Sequence, residues 1–136
     1  MELKPIKIQK NIFKIPINDN EFIEINLNDH NFLKNLQELK NVAINEYPKF
    51  ESGNTDKDFE KLNVYCEKTS NLINKIFGNG TVKKVFGVEL PTIDILVDFI
   101  EQITPHLEKA MEQIQDKFEK KYNTYEKRAE TRENSK

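Results

Sequence analysis

Few residues in this sequence could do acid–base, nucleophilic or metal chemistry. The chain of 136 residues has two histidines, His30 and His106, and one cysteine, Cys66. Neither histidine has a second histidine or a cysteine three or four residues away, so the ligand spacing of a helical zinc site is missing. Cys66 falls on an apolar stripe, where a thiol is inert by default because a reactive thiolate needs an exposed, positively charged setting. The pattern predicts no metal site and no cofactor.

A row of carboxylates is the other candidate for chemistry. Asp94, Asp98 and Glu101 recur at spacings that place them along one side of a helix. Paired carboxylates can act as general acid and base, but such a row is also the usual wet face of an amphipathic helix. No nucleotide-binding, hydrolase or calcium-loop motif accompanies it. We therefore interpret the row as a solvated face and predict that the protein is not an enzyme.

Three of the four glycines, Gly78, Gly80 and Gly87, cluster in a short stretch. A glycine just past the last apolar position of a helix ends that helix, because glycine adopts a left-handed backbone at little cost. A phosphate-binding loop is the alternative, but the Lys-Ser or Lys-Thr pair of a P-loop is missing and no strand precedes the glycines. The cluster predicts two successive helix ends around a short helix at residues 81–86.

The first quarter of the chain has the two-residue period of a strand. Apolar and polar residues alternate over residues 12–27 around a turn sequence at residues 18–21, which predicts a β-hairpin. Ile6 and Ile8 are candidates for a third strand, which Pro5 would restrict to the edge of the sheet. A lone hairpin is marginally stable in water, so we expect this one to pack on the helices.

The rest of the chain has a helical period. Apolar residues recur every three or four positions after Asp29, after Thr55 and after Thr92. Either Asn28 or Asp29 can cap the first of these helices, Thr55 the second and Thr92 the third. Pro105 lies inside the last stretch and should kink it near Glu101. The predicted fold class is α+β and mainly helical: a hairpin packed on two mid-length helices, a short connector helix and one long kinked helix. Residues 1–128 form the predicted single domain, and residues 129–136 form a charged tail that frays after residue 128.

Composition excludes several classes of function. The net charge is −2 although 32% of the residues are charged, so no global field favours nucleic acid or an anionic membrane. Lysines load the N-terminal strands and the C-terminal stretch, but glutamates interleave with the latter. A nucleic-acid-binding module is therefore the weaker reading of these basic segments. No apolar stretch approaches the length of a membrane span or a signal peptide, which predicts a cytoplasmic protein without a membrane partner.

The last helix carries the longest apolar pattern in the chain. A seam with steps of three and four continues through steps of four and then three. Its members are Ile93, Leu96, Ile100, Ile103, Leu107, Ala110, Ile114, Phe118, Tyr122 and Tyr125. This is more apolar periodicity than one small core needs, so we predict that the last four members form a protein-binding surface. The same four residues could instead close the core or form the seam of a homo-oligomer, and the sequence leaves these readings open.

Three passages of the sequence resemble a known group of proteins. They are FIEINLNDHNFLKNLQEL, KIFGNGTVKKVFG and DILVDFIEQITPHLEKAMEQIQDKFEKKY. Together they are similar to small tail-cluster proteins of phages and prophages of low-GC Gram-positive bacteria. The most distinctive part is the connector, which matches as Phe77-Gly78-x-Gly80-Thr81 followed by Phe86-Gly87. The likeness covers about residues 20–125.

Proteins of that group look like tail assembly chaperones, encoded near the tail tube and tape-measure proteins. The resemblance therefore implies a non-enzymatic chaperone in the host cytoplasm whose partner is the tape-measure or tube protein. It transfers no catalytic residue. An alternative from a different class is a small phage-encoded regulatory protein that binds a host factor through the same helix.

Overall fold

Four helices and a two-stranded hairpin make up the part of the chain that the structure describes. The computed structural model describes residues 2–50 and 54–134. In chain order the elements are β1 (Ile12–Ile17), β2 (Glu21–Asn26), α1 (His30–Asn45), α2 (Thr55–Phe77), α3 (Thr81–Phe86) and α4 (Ile93–Asn134). The predicted fold class, α+β and mainly helical, is confirmed.

The hairpin buries one face and exposes the other. β1 and β2 pair antiparallel with Ile15 opposite Ile23 and Phe13 opposite Ile25. Ile15, Ile23 and Ile25 are almost fully buried, as the alternating pattern predicts. Asn18 opens the turn with φ 51°, a left-handed conformation that asparagine tolerates better than most residues.

The segment that precedes β1 does not form the third strand that we expected. Ile6 and Ile8 lie outside the sheet with 89% and 77% of their surface exposed. The Asn28 side chain, just after β2, donates a hydrogen bond of 2.8 Å to the carbonyl of Gln9, just before β1. This bond joins the two ends of the hairpin. The alternation at Ile6 and Ile8 is not matched by a strand, and both side chains face solvent.

Both mid-length helices begin at side-chain caps. The Asp29 carboxylate accepts the Asn31 N–H at 2.9 Å and starts α1, so Asp29 is the cap rather than the other candidate, Asn28. For α2 the expected cap was Thr55, but the Asn54 carboxamide accepts the Lys57 N–H at 3.2 Å instead, and Thr55 is the first helical residue. Asparagine is among the best capping residues, so the helix begins one position earlier than the Thr55 cap implied.

α1 and α2 pack on each other through one apolar face each. The buried residues of α1 are Phe32, Leu36, Leu39 and Val42. Those of α2 are Tyr65, Cys66, Thr69, Ser70, Leu72, Ile73 and Ile76. β2 also contacts α2, so α2 has neighbours in both the hairpin and α1. Phe59 belongs to the apolar period that follows Thr55 but is 57% exposed.

The glycine cluster ends two helices, but not in the same conformation. Gly87 closes α3 in the left-handed conformation, with φ 76° and its N–H on the Lys83 carbonyl at 2.8 Å. Gly78 follows α2 with φ 113° and ψ 153°, outside the left-handed helical conformation that the sequence predicted. Gly80 is left-handed and directly precedes α3. The predicted helix over residues 81–86 is confirmed.

α4 extends further than the charge-rich end of the sequence suggested. It continues through Pro105 and past Arg128, where we expected fraying, to Asn134. Residues 135–136 of the predicted tail lie outside the described residues. Contacts divide the chain into two compact units, Met1–Glu101 and Gln102–Lys136. The predicted kink near Glu101 and the predicted domain boundary at residue 128 stay predictions.

Candidate protein-binding surface

The four predicted binding residues lie along one face of α4. At about 100° per residue, Ile114, Phe118, Tyr122 and Tyr125 fall within an arc of about 80° and cover about 17 Å of helix. Ile114 is half-buried, whereas Phe118, Tyr122 and Tyr125 are 68%, 57% and 74% exposed. We call these four residues the distal stripe. Single exposed apolar residues are ordinary, but three aromatic rings in a row on one helix face are not.

The distal stripe continues a face of α4 that is buried nearer the start of the helix. Ile103, Leu107 and Ala110 are at most 4% exposed and share the helical face of the distal stripe. From Gln115 to Arg132 every residue is exposed. The apolar period thus outlasts the burial by about four turns. Within the described chain, Phe118, Tyr122 and Tyr125 are therefore large apolar side chains that no other element buries.

Two rings of the distal stripe are stacked on each other. The centroids of Phe118 and Tyr122 are 6.3 Å apart, with 23° between the ring planes. Residues at i and i+4 are neighbours on a helix surface, so the pair forms from the helix alone. Tyr122 and Tyr125 each combine an apolar ring with a hydroxyl, and residues of this kind are enriched where proteins bind one another.

Charged residues of both signs surround the distal stripe. Lys117, Lys120 and Lys121 alternate with Glu119 and other acidic residues, and all are exposed. Thr124 and Thr131 direct their hydroxyls to the carbonyls of Lys120 and Lys127 at 2.9 Å, so their polar groups are bonded within the helix. Because the charges alternate, the flanks present no electrostatic field of one sign.

The three residues considered for metal or nucleophilic chemistry differ in exposure. His30 is exposed, His106 is half-buried and Cys66 is buried. Burial raises the pKa of the Cys66 thiol, which keeps it protonated and unreactive. Across residues 2–50 and 54–134, no group of three His, Cys, Asp or Glu side chains is placed to hold a metal ion.

The carboxylate row begins at the start of α4. The hydroxyl of Thr92 donates to the Asp94 carboxylate. This hydrogen bond, together with backbone N–H donors, lowers the pKa of Asp94 and so favours the charged form. A carboxylate in the first turn also interacts favourably with the helix dipole. Asp94 therefore serves the start of the helix, which fits the interpretation of the row as a solvated face.

The glycine–phenylalanine connector has a packing role that the sequence did not reveal. Phe77 and Phe86, which precede Gly78 and Gly87, both meet Phe99 of α4 edge to face, with centroid distances of 6.2 and 5.2 Å. Phe99 is buried, although the heptad-like seam skipped it. The connector thus fixes the first turns of α4 against the ends of α2 and α3. The repeated Phe-Gly pattern was the available signal for this cluster.

Comparison with known proteins assigns the chain to one family. Among the residues that the structure describes, no helix has the length and hydropathy that a bilayer crossing demands. No curated protein and no solved structure matches the chain. The model of one family, described as a family of unknown function (DUF6673), matches residues 18–136. Because this match covers the hairpin turn, β2 and all four helices, the chain belongs to the DUF6673 family of unknown function.

Proposed function

We propose that the protein is a non-enzymatic, phage tail assembly chaperone-like protein of the host cytoplasm. Its distal stripe binds a tail structural protein, either the tape-measure or the tube protein. The observation that supports the binding role is the exposed aromatic row of Phe118, Tyr122 and Tyr125 on a face that is buried earlier in α4. The choice of partner rests on the resemblance of the hairpin, connector and long helix to phage tail-cluster proteins.

A chaperone of this kind has to cover the apolar face of a helical client and later release it. A helix can do so by pairing its apolar positions at i, i+3 and i+4 with those of the client. At about 200 Å² per aromatic ring and two-thirds exposure, the three rings present about 400 Å² of apolar surface. Covering that area yields about 10 kcal/mol before costs. Association itself costs about 4–15 kcal/mol, so the distal stripe supports reversible rather than permanent binding.

The experiment is co-purification of the tagged chain with its candidate clients. The chain would be co-expressed with the tape-measure protein or the tube protein encoded beside it, as unaltered protein and as the double variant Phe118→Asp/Tyr122→Asp. We expect the unaltered chain to retain one of these clients and the double variant to lose it. The far-UV circular dichroism of both proteins should stay alike, because both side chains are mainly exposed.

The matched control places the same two charges on another face of the same helix. Gln113 and Asn123 are exposed and point away from the distal stripe, so Gln113→Asp/Asn123→Asp should keep the client. Retention of the client by Phe118→Asp/Tyr122→Asp would refute the binding surface. Failure of the unaltered chain to retain either client would refute the chaperone assignment. Capture of a bacterial host protein through the distal stripe would then favour the regulatory alternative.

The same residues could meet a second copy of the chain. Light scattering across a range of concentrations separates the two cases. If the measured mass is that of one chain, no second copy covers the distal stripe, and it is available to a client. A dimer that Phe118→Asp/Tyr122→Asp dissociates would assign the distal stripe to a homo-oligomer.

A further inference from the structure

A second surface, beside α2, has lysines along one helix face. Lys57, Lys61, Lys68 and Lys75 fall within an arc of about 40° and span about 27 Å. All four are exposed. Val64 lies between them on nearly the same face and is 53% exposed. The row therefore combines positive charges with an apolar position, in contrast to the mixed signs along the end of α4.

This lysine row borders a groove that α1 and the chain after it complete. One cavity of about 610 Å³ lies between the C-terminal end of α1 and the first half of α2. A second, of about 180 Å³, lies further along the two helices. Both are lined by Glu46 and Lys68, so they adjoin. We call the two cavities together the α1–α2 groove.

The α1–α2 groove has an apolar floor and a positively charged rim. Tyr65 is buried, and its ring meets that of Tyr47 edge to face with centroids 5.6 Å apart. Tyr47 and Val64 are about half exposed and border the larger cavity. Burial, followed by the neighbouring Tyr47, raises the pKa of Tyr65, so its hydroxyl stays neutral. The floor can therefore accept an apolar side chain without burying a charge.

The rim has more lysines than glutamates. The charged residues that line the groove are five lysines and three glutamates: Lys49, Lys57, Lys61, Lys68, Lys75, Glu38, Glu46 and Glu60. Glu46 is paired with Lys68 at 2.6 Å. The Lys61 ammonium donates a hydrogen bond of 3.3 Å to the Lys49 carbonyl. This acceptor is neutral, so the bond does not neutralise the positive charge of Lys61. The chain as a whole has a net charge of −2, so the rim has the opposite sign to the molecule.

We propose that the α1–α2 groove binds an acidic amphipathic segment of a partner protein. An apolar anchor of the segment enters the larger cavity against Tyr47 and Val64, and its carboxylates face Lys57, Lys61 and Lys75. Charge complementarity selects the segment and orients it. A nucleic acid is disfavoured because Glu38 and Glu60 share the rim and would repel phosphates. This site consists of different residues from the distal stripe, and its assignment does not depend on the chaperone function.

The test uses a synthetic peptide probe and fluorescence anisotropy. The probe is an amphipathic helix of about 18 residues, about 27 Å long, with leucine on one face and glutamate on its flanks. We expect saturable binding to the full chain that weakens as salt rises, because exposed charges are screened. Lys57→Glu/Lys61→Glu should weaken binding by about tenfold or more, and Val64→Asp should weaken it through loss of the apolar contact.

The control is Lys83→Glu/Lys109→Glu, which makes the same change in net charge at exposed lysines outside the α1–α2 groove. It should bind the probe like the unaltered chain. An equal loss in both double variants would show a response to net charge only and would overturn the proposal. Equal affinity for a scrambled peptide or for single-stranded DNA would also overturn it, because the apolar anchor would then be irrelevant. Absence of probe binding at low salt has the same consequence.

Discussion

Replacement of Phe118 by alanine should leave the free energy of unfolding almost unchanged. The ring is 68% exposed and stacks on Tyr122 of its own helix. Loss of such an i, i+4 pair costs about 0.2–0.5 kcal/mol. Alanine has a higher helix propensity than phenylalanine by about 0.5 kcal/mol. The two effects oppose each other, so we expect a net change within about 0.5 kcal/mol.

Leu96→Ala provides the reference for a covered position on the same helix. Leu96 has no exposed surface, and removal of a buried leucine side chain costs about 2–5 kcal/mol through lost burial and the cavity left behind. With an unfolding entropy of about 2.1 cal/mol/K per residue, a loss of about 3 kcal/mol in a chain of this length lowers Tm by about 10 °C. Urea and thermal unfolding, followed by far-UV circular dichroism, measure both variants against the unaltered chain.

The outcome for Phe118 decides what the distal stripe is. A loss above about 1.5 kcal/mol would mean that the ring is covered in solution and would refute the exposed, client-binding interpretation. Unfolding should be repeated at several protein concentrations, since a midpoint that rises with concentration identifies an oligomer. An unchanged midpoint together with a neutral Phe118→Ala would leave the ring available to a different protein.

Two further predictions concern the glycine connector and the cysteine. Gly87→Ala should cost about 1 kcal/mol in urea unfolding, because φ is 76° and no heavy atom within 4 Å of the added Cβ contributes a clash; Gly87→Asn should cost less. Burial raises the pKa of Cys66, so the folded chain holds the thiol proton more tightly than the unfolded chain does. Stability is therefore fully present below the unfolded pKa of about 8.5 and falls as the pH rises above it, and Cys66→Ala should reduce that fall in unfolding measured from pH 7 to 10.

Local signals in the sequence were sufficient for most of the elements. The turn at Asn18 and the left-handed Gly87 depend on a few neighbouring residues and were predicted correctly. For the cap of α1 the sequence offered Asn28 or Asp29, and the structure has Asp29. For the cap of α2 the sequence pointed to Thr55, whereas the structure uses the neighbouring Asn54; both are residue types that cap helices, so residue type alone does not decide between them. Phe99 was missed because its partners, Phe77 and Phe86, lie in other elements.

The candidate surfaces show a different limit. Helical period placed Ile114, Phe118, Tyr122 and Tyr125 on one face, but period alone cannot say whether anything covers that face. The structure shows that Phe118, Tyr122 and Tyr125 are exposed. The lysine row on α2 was readable as a spacing of 4, 7 and 7 residues, yet its meaning depends on the Tyr47 and Tyr65 rings beside it. Sequence period therefore predicted the distal stripe but not the lysine row, because only tertiary packing distinguishes a groove from an ordinary solvated face.

The exposed end of α4 also affects how a client would be held. From Gln115 to Arg132 every side chain of α4 is exposed, so burial adds little to the stability of this stretch, and the propagation constant of a helix in water is near one per residue. We therefore expect this stretch to melt and reform locally more readily than the buried elements do. A client that docks on the aromatic row has to suppress that melting, and the entropy lost reduces the net affinity. If the distal stripe binds a client as proposed, this entropy loss would keep the binding weak and reversible.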